Sequence, residues 1–77
     1  MLFKQYDVVR VIGIKSNQIF QPDSFNRRGP RIGDLATILE IYSEPFGYEL
    51  ECSDPNGITE WLGGFGPDEM ELELATY

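Results

Sequence analysis

The sequence contains no histidine, and Cys52 is its only cysteine. The absence of histidine excludes the Ser-His-Asp and Cys-His catalytic arrangements, and with them zinc sites built from histidine or from several cysteines. A single cysteine cannot form an internal disulfide, which favours a reducing, cytoplasmic compartment. No apolar run approaches the roughly 18 residues of a membrane span, and we expect neither a secretory signal nor a lipid anchor.

Basic residues are also missing from more than half of the chain, because all six lie at or before Arg31. Residues 1–33 hold these six together with two acidic residues, Asp7 and Asp23, and carry a net charge of +4. Residues 34–77 hold eleven acidic residues and no basic one, which brings the whole chain to −7. An acidic protein of this kind is a poor general binder of nucleic acid, although a basic patch remains in the first part of the chain.

The 77 residues are enough for one small domain, residues 1–77, with a thin core. Segments rich in β-branched residues, or with strict alternation, predict five strands over residues 6–14, 35–42, 48–53, 58–62 and 70–74. The first two are separated by a long irregular segment, residues 15–33, whose Ile19, Phe20 and Phe25 we expect to pack against the domain. Gly63-Gly64 is expected to end the fourth strand, and one 3₁₀ turn is expected over residues 67–69. The prediction is an all-β fold, a small antiparallel barrel.

The alternation also predicts which side chains face the core. In the third strand, Tyr48, Leu50 and Cys52 share the inner face, and Glu49 and Glu51 lie opposite. In the last strand, we expect Met70, Leu72 and Leu74 inside and Glu69, Glu71 and Glu73 outside. The fourth strand is ambiguous, because Trp61 alternates away from Ile58 and Leu62 and is therefore a candidate for exposure.

Several segments, taken in order, resemble an SH3-like barrel: YDVVRV, GDLATILEIY, GYELEC, DPNG, ITEWL and ELEL. The likeness covers about residues 6–74 and is to a small bacterial family of SH3-like domains of unknown function. GDLATILEIY is also similar to the KOW motif of ribosomal and transcription factors, although Ser43-Glu44-Pro45-Phe46 replaces its Gly/Lys-rich turn. The resemblance implies a non-enzymatic interaction domain and supplies no catalytic residue, cofactor or metal site. A fold alone does not fix a function.

Three sets of side chains are candidates for binding. Arg27, Arg28 and Arg31 could clamp carboxylates or phosphates, or could neutralise the acidic surface of their own domain. The aromatic residues could form a groove for an extended ligand, as in SH3 domains, or could simply form the core. The acidic residues could bind a basic partner, or could form a solvated face that blocks edge pairing. The aromatic set is Tyr42, Phe46, Tyr48, Trp61 and Phe65, with Phe46 and Trp61 expected to be the most exposed. The acidic set is Glu49, Glu51, Glu60, Glu69, Glu71 and Glu73.

Catalysis has no clear candidate residues. Asp54 and the pair Asp68-Glu69 are most simply explained as turn residues, and Asp54-Pro55-Asn56-Gly57 lacks the spaced ligands of a calcium loop. Cys52 alternates inward and is expected to be a small core residue. We therefore expect no enzyme, no metal and no cofactor.

The leading hypothesis is a protein-binding module for a more basic protein partner, such as an inhibitor of the antitoxin or immunity type, or an accessory subunit. A second hypothesis is a KOW-like domain that binds RNA or the ribosome through its basic residues: Arg10, Lys15, Arg27, Arg28 and Arg31. A third is a structural homo-oligomer with Trp61 or Phe65 at the interface.

Overall fold

The computed structural model describes residues 3–15 and 27–75. These residues contain five β-strands in one antiparallel sheet with the order β4-β3-β2-β1-β5. This confirms the predicted all-β fold with five antiparallel strands. Within the described part of the chain, no helix is long and apolar enough to span a membrane. The strands are β1 Val8–Ile14, β2 Leu35–Ser43, β3 Phe46–Ser53, β4 Thr59–Phe65 and β5 Met70–Leu74.

All five strands contribute side chains to a single core. The two outermost strands of the sheet supply Trp61 from β4 and Met70 from β5, and both side chains are buried. Because the two ends of the strand order reach the same core, the sheet must curl around it. The predicted inner face of β3 is confirmed, since Tyr48, Leu50 and Cys52 are all buried. The remaining buried side chains are Val9, Val11, Ala36 and Ile38.

A β-bulge in β2 changes which side chains point outward. The register with β3 shifts between Ile38 and Glu40, which leaves Leu39 as an extra residue. After the bulge, Ile41 packs against the core while Glu40 and Tyr42 are exposed. Glu40 is then directly opposite Glu49 of β3.

The turns agree with the sequence except at one point. The β2–β3 hairpin is closed by Glu44 and Pro45, which are joined by a cis peptide bond. In the β3–β4 turn, the carboxylate of Asp54 accepts hydrogen bonds from the amides of Asn56 and Ile58, and Gly57 adopts the left-handed conformation that favours glycine. Before β5, where one 3₁₀ turn was expected, residues 67–69 form a hydrogen-bonded turn in which the Glu69 amide donates to the Gly66 carbonyl three residues earlier, and no 3₁₀ helix is assigned there.

The expected end of β4 at Gly63-Gly64 was wrong. Both glycines stay in the ladder, because Gly63 pairs with Leu50 and Gly64 with Glu49. Because β3 continues beside these glycines, β4 extends to Phe65. The ring of Phe65 lies edge-on to the indole of Trp61. Two neighbouring glycines indicate a strand end only where no partner strand continues beside them.

The expected exposure of Trp61 was also wrong, because its side chain is fully buried. The register of β4 shifts between its pairs with Cys52 and Ser53, so that Trp61 joins the inner face opposite Cys52. Ile58, whose alternation with Trp61 predicted that the indole faces outward, precedes β4 and is 53% exposed. In β5, Met70 is buried and Leu72 packs against the core as expected, whereas Leu74 is 40% exposed at the strand end. The expected packing of Ile19, Phe20 and Phe25 concerns residues outside the described part.

We expect Leu50→Ala to lower the free energy of unfolding by roughly 2–5 kcal/mol, because it leaves a cavity at a fully buried position. Urea denaturation followed by Trp61 fluorescence measures this change. Ile58→Ala removes a similar side chain from an exposed position and is the matched control, with an expected change of about 0.5 kcal/mol or less. Equal losses in both variants would contradict the assignment of the core.

Candidate functional site

The carboxylate of Asp34, immediately before β2, accepts four hydrogen bonds from three other residues. Arg28 donates a hydrogen bond from each of its terminal nitrogens, Nη1 to Oδ2 at 2.9 Å and Nη2 to Oδ1 at 3.0 Å. The indole Nε1 of Trp61 donates to Oδ2 at 2.9 Å, and the amide of Arg31 donates to Oδ2 at 2.8 Å. The Asp34 side chain is only 13% exposed, so its charge is stabilised almost entirely by these donors. This contact joins the end of the first loop to β2 and to the core of β4.

The same network extends to Glu60 of β4 through Arg28. The Nε of Arg28 donates to Glu60 at 3.0 Å, and the backbone amide of Arg28 donates to the carbonyl of the same residue at 3.3 Å. Arg27 is adjacent, with its Nη1 3.4 Å from Glu60 and 3.5 Å from Asp54. Two of the three candidate arginines therefore neutralise acidic groups of their own domain. Among the described residues, no carboxylate lies within salt-bridge distance of the Arg31 guanidinium.

Hydrogen bonds and burial shift the pKa values of Asp34, Arg28 and Cys52 in this network. Burial acts to raise the pKa of the Asp34 carboxyl, but the hydrogen bonds from Arg28, Arg31 and Trp61 outweigh it and lower the pKa below its usual 3.8. The hydrogen bond to Asp34 in turn raises the pKa of Arg28, against the opposing effect of burial. Burial raises the pKa of the Cys52 thiol, so that this side chain remains protonated near neutrality. The expected core position of Cys52 is confirmed.

A groove lies at the opposite end of β3 from this network. It has a volume of about 400 Å³ and runs between the β2–β3 hairpin and the turn that joins β4 to β5. Two of its aromatic side chains are accessible, since Tyr42 is 44% and Phe46 42% exposed. Phe46 lies edge-on to Tyr48, with ring centroids 5.1 Å apart, and this contact fixes one wall. The groove is lined by Tyr42, Pro45, Phe46, Gly47, Gly64, Phe65, Gly66, Pro67, Asp68 and Glu69.

Several carboxylates lie in or near this groove. Glu49 accepts a hydrogen bond from the Tyr42 hydroxyl at 2.9 Å, and this bond, together with the charges of Glu49 and Glu40, raises the pKa of Tyr42. Asp68 lines the groove itself, and Glu44 lies in the hairpin beside it. In the described part of the chain, no Lys or Arg side chain pairs with Glu40, Glu44, Glu49 or Asp68.

The other acidic candidates are already engaged elsewhere. Glu73 is 3.0 Å from Arg10, and Glu71 is 3.9 Å from Lys15, both across the β1–β5 pair. Glu51 accepts a hydrogen bond from the Thr59 hydroxyl at 2.6 Å. Glu60 is part of the Arg28 network. Of the acidic residues predicted to bind a partner, only Glu69 lines the aromatic groove, where it accepts a hydrogen bond from the Gly66 amide. Glu49 lies beside the groove through its hydrogen bond with the Tyr42 hydroxyl.

Some of the aromatic candidates lie at the groove and others are in the core. Phe46 and Phe65 line the groove, whereas Trp61 is buried and cannot form the surface or oligomer interface for which it was considered. The sequence did not identify Asp34, Glu40 or the prolines Pro45 and Pro67 as parts of a site. Only the bulge after Ile38 places Glu40 beside Glu49, and no local pattern in the sequence marks that bulge.

The residues described contain no group of three or more acidic or cysteine side chains arranged to hold a metal ion. Comparison with protein-family models, with curated proteins and with solved structures finds no match for this chain.

We expect Asp34→Asn to lower the free energy of unfolding by about 3 kcal/mol, because it removes one of the two carboxylates that pair with the partly buried Arg28. Chemical denaturation measures the loss. Glu73→Gln, which breaks the exposed pair with Arg10, is the control and should cost at most about 1 kcal/mol. A loss for Asp34→Asn no larger than that of the control would show that the network contributes little.

The stability of the native protein should fall in acid partly through Asp34. Its pKa is lower in the folded state, so the unfolded chain takes up this proton first. The contribution is complete above the usual pKa of 3.8 and is lost as the pH falls through the lower value of the folded state. Denaturation curves measured between about pH 2 and pH 7 should show a smaller decline in Asp34→Asn than in the native protein. Parallel declines in the two proteins would contradict this assignment.

Proposed function

We propose that this chain is a non-enzymatic binding module whose aromatic groove holds an arginine- or lysine-containing segment of a protein partner. The observation that carries the proposal is the distribution of neutralised charge. Acidic groups near the first loop and along β5 have cations beside them. Within the described residues, no cation pairs with Asp68, which lines the groove, with Glu49, which binds the hydroxyl of Tyr42, or with the nearby Glu40 and Glu44.

The chemistry of the groove suits a cationic side chain. A guanidinium or ammonium group gains from contact with the face of an aromatic ring, and more so beside carboxylates. Glu40 and Glu49 are like charges directly opposite each other on neighbouring strands, an arrangement that costs stability in the free protein. A bound cation between them would relieve this repulsion.

The partner in this proposal is a more basic protein, for which the chain acts as an inhibitor or as an accessory subunit in the cytoplasm. Nucleic acid is a weaker alternative, because Arg27 and Arg28 already pair with Asp54, Asp34 and Glu60. Arg10 and Lys15 likewise lie beside carboxylates of β5.

We expect random peptides displayed on phage and selected on this protein to be enriched in arginine and lysine. A selected peptide should weaken markedly as salt rises from about 50 to 500 mM, since the attraction between exposed charges is screened. Its NMR titration should shift the amide signals around Tyr42, Phe46 and Asp68.

The double variant Glu49→Gln, Asp68→Asn should bind the selected peptide at least about tenfold more weakly, a change of about 1.4 kcal/mol. Glu73→Gln removes an exposed carboxylate from a different surface and is the matched control. Selection of no peptide, or equal losses in the two proteins, would refute the proposed groove.

A further inference from the structure

A second, smaller pocket opens beside the groove, where the curled sheet leaves β4 and β5 unpaired. It has a volume of about 180 Å³, and its walls are almost entirely apolar. Tyr48 and Met70 form its base and are buried, while Phe3 and Leu72 are partly exposed at its sides. The lining residues are Phe3, Tyr48, Phe65, Gly66, Pro67, Met70, Glu71 and Leu72.

The groove and the pocket are separated by one wall. Phe65, Gly66 and Pro67 line both cavities. Phe65 is held in place by its edge-on contact with Trp61, at a centroid distance of 5.7 Å, and Phe3 lies edge-on to Tyr48 at the same distance. A segment bound in the groove therefore passes directly beside the pocket mouth.

We propose that the pocket takes one bulky apolar side chain from the same partner segment whose cation occupies the groove. This inference rests on the proposed function and specifies the recognised sequence, which combines an arginine or lysine with an aromatic or large aliphatic residue. A cavity of about 150 Å³ lined by apolar side chains holds a benzene ring, so the size of this pocket suits one such side chain.

The geometry also limits the spacing of the two anchors. Extended chain advances by about 3.3–3.6 Å per residue, and one aromatic wall separates the two cavities. The cation and the apolar residue should therefore be about two to three residues apart. The carboxylate of Glu71 at the pocket rim is already close to Lys15, so the pocket itself offers no unsatisfied charge for a second cation among the described residues.

Peptide selection on pocket variants tests this inference. The native protein should enrich peptides with a bulky apolar residue two to three positions from a basic one. Leu72→Phe narrows the pocket and should shift the preference at that position towards smaller residues, while the basic residue remains. Leu72→Ala widens it and should shift the preference towards larger residues, which keeps the test valid if one of the two variants does not fold.

Leu74→Phe is the matched control, because Leu74 lies on the same strand but does not line the pocket. It should leave the selected sequences unchanged. Replacing the apolar residue of a selected peptide by alanine should weaken binding to the native protein at least about tenfold.

The two proposals fail in different ways. Basic peptides without a preferred apolar position, or preferences that do not change in either Leu72 variant, would overturn the pocket proposal and leave the groove proposal standing. Failure to select any basic peptide would overturn the proposed function, and the pocket proposal with it.

Discussion

The fold depends on one partly buried carboxylate, that of Asp34. A charge with so little access to water is tolerated only where hydrogen-bond donors replace its solvation, and Arg28, Trp61 and the Arg31 amide supply them. Each donor comes from a different part of the domain: the end of the first loop, the inner face of β4, and the turn before β2. Asp34 thereby fixes the orientation of the indole, and the indole in turn supports Phe65 at the wall shared by the groove and the pocket. The architecture of the candidate site is thus connected to an interaction at the other end of the sheet.

This arrangement also determines where charge remains unbalanced. Two arginines are committed to Asp34, Glu60 and Asp54, and Arg10 and Lys15 lie beside β5. These four cations therefore lie away from the β2–β3 hairpin, where Glu40 and Glu49 are directly opposite each other. The net charge of −7 describes the molecule poorly, since Asp34, Asp54 and Glu60 have arginines beside them, whereas in the described residues no cation pairs with Glu40 or Glu49 near the exposed ring of Tyr42.

Composition rich in β-branched residues and alternation together predicted five strands, and alternation predicted the inner face of β3, because Tyr48, Leu50 and Cys52 follow the two-residue period of a half-buried strand. It failed where the period is interrupted. An extra residue at Leu39 exposes Glu40 and Tyr42, and the register shift in β4 turns Trp61 into the core. The hydrogen bond that allows a polar indole to be buried comes from Asp34, 27 residues away in the sequence. Contacts between residues so far apart in the sequence leave no local pattern. The sequence therefore predicted which types of residue could bind a partner, but not where in the fold they meet.

The irregularities of the sheet are what create the site. A regular β2 would continue its alternation past Ile38 and direct Glu40 towards the core opposite Tyr48, which is incompatible with an unpaired carboxylate. The bulge prevents that outcome by placing Glu40 and Tyr42 on the outer surface, where the Tyr42 hydroxyl binds Glu49. Glycine at position 64 lets the Glu49 carboxylate lie close to the neighbouring strand, since a Cβ there would approach that carboxylate to 3.2 Å. The local features that disturb the strand pattern, the bulge and the glycine pair, are therefore those that allow acidic and aromatic side chains to meet at one groove.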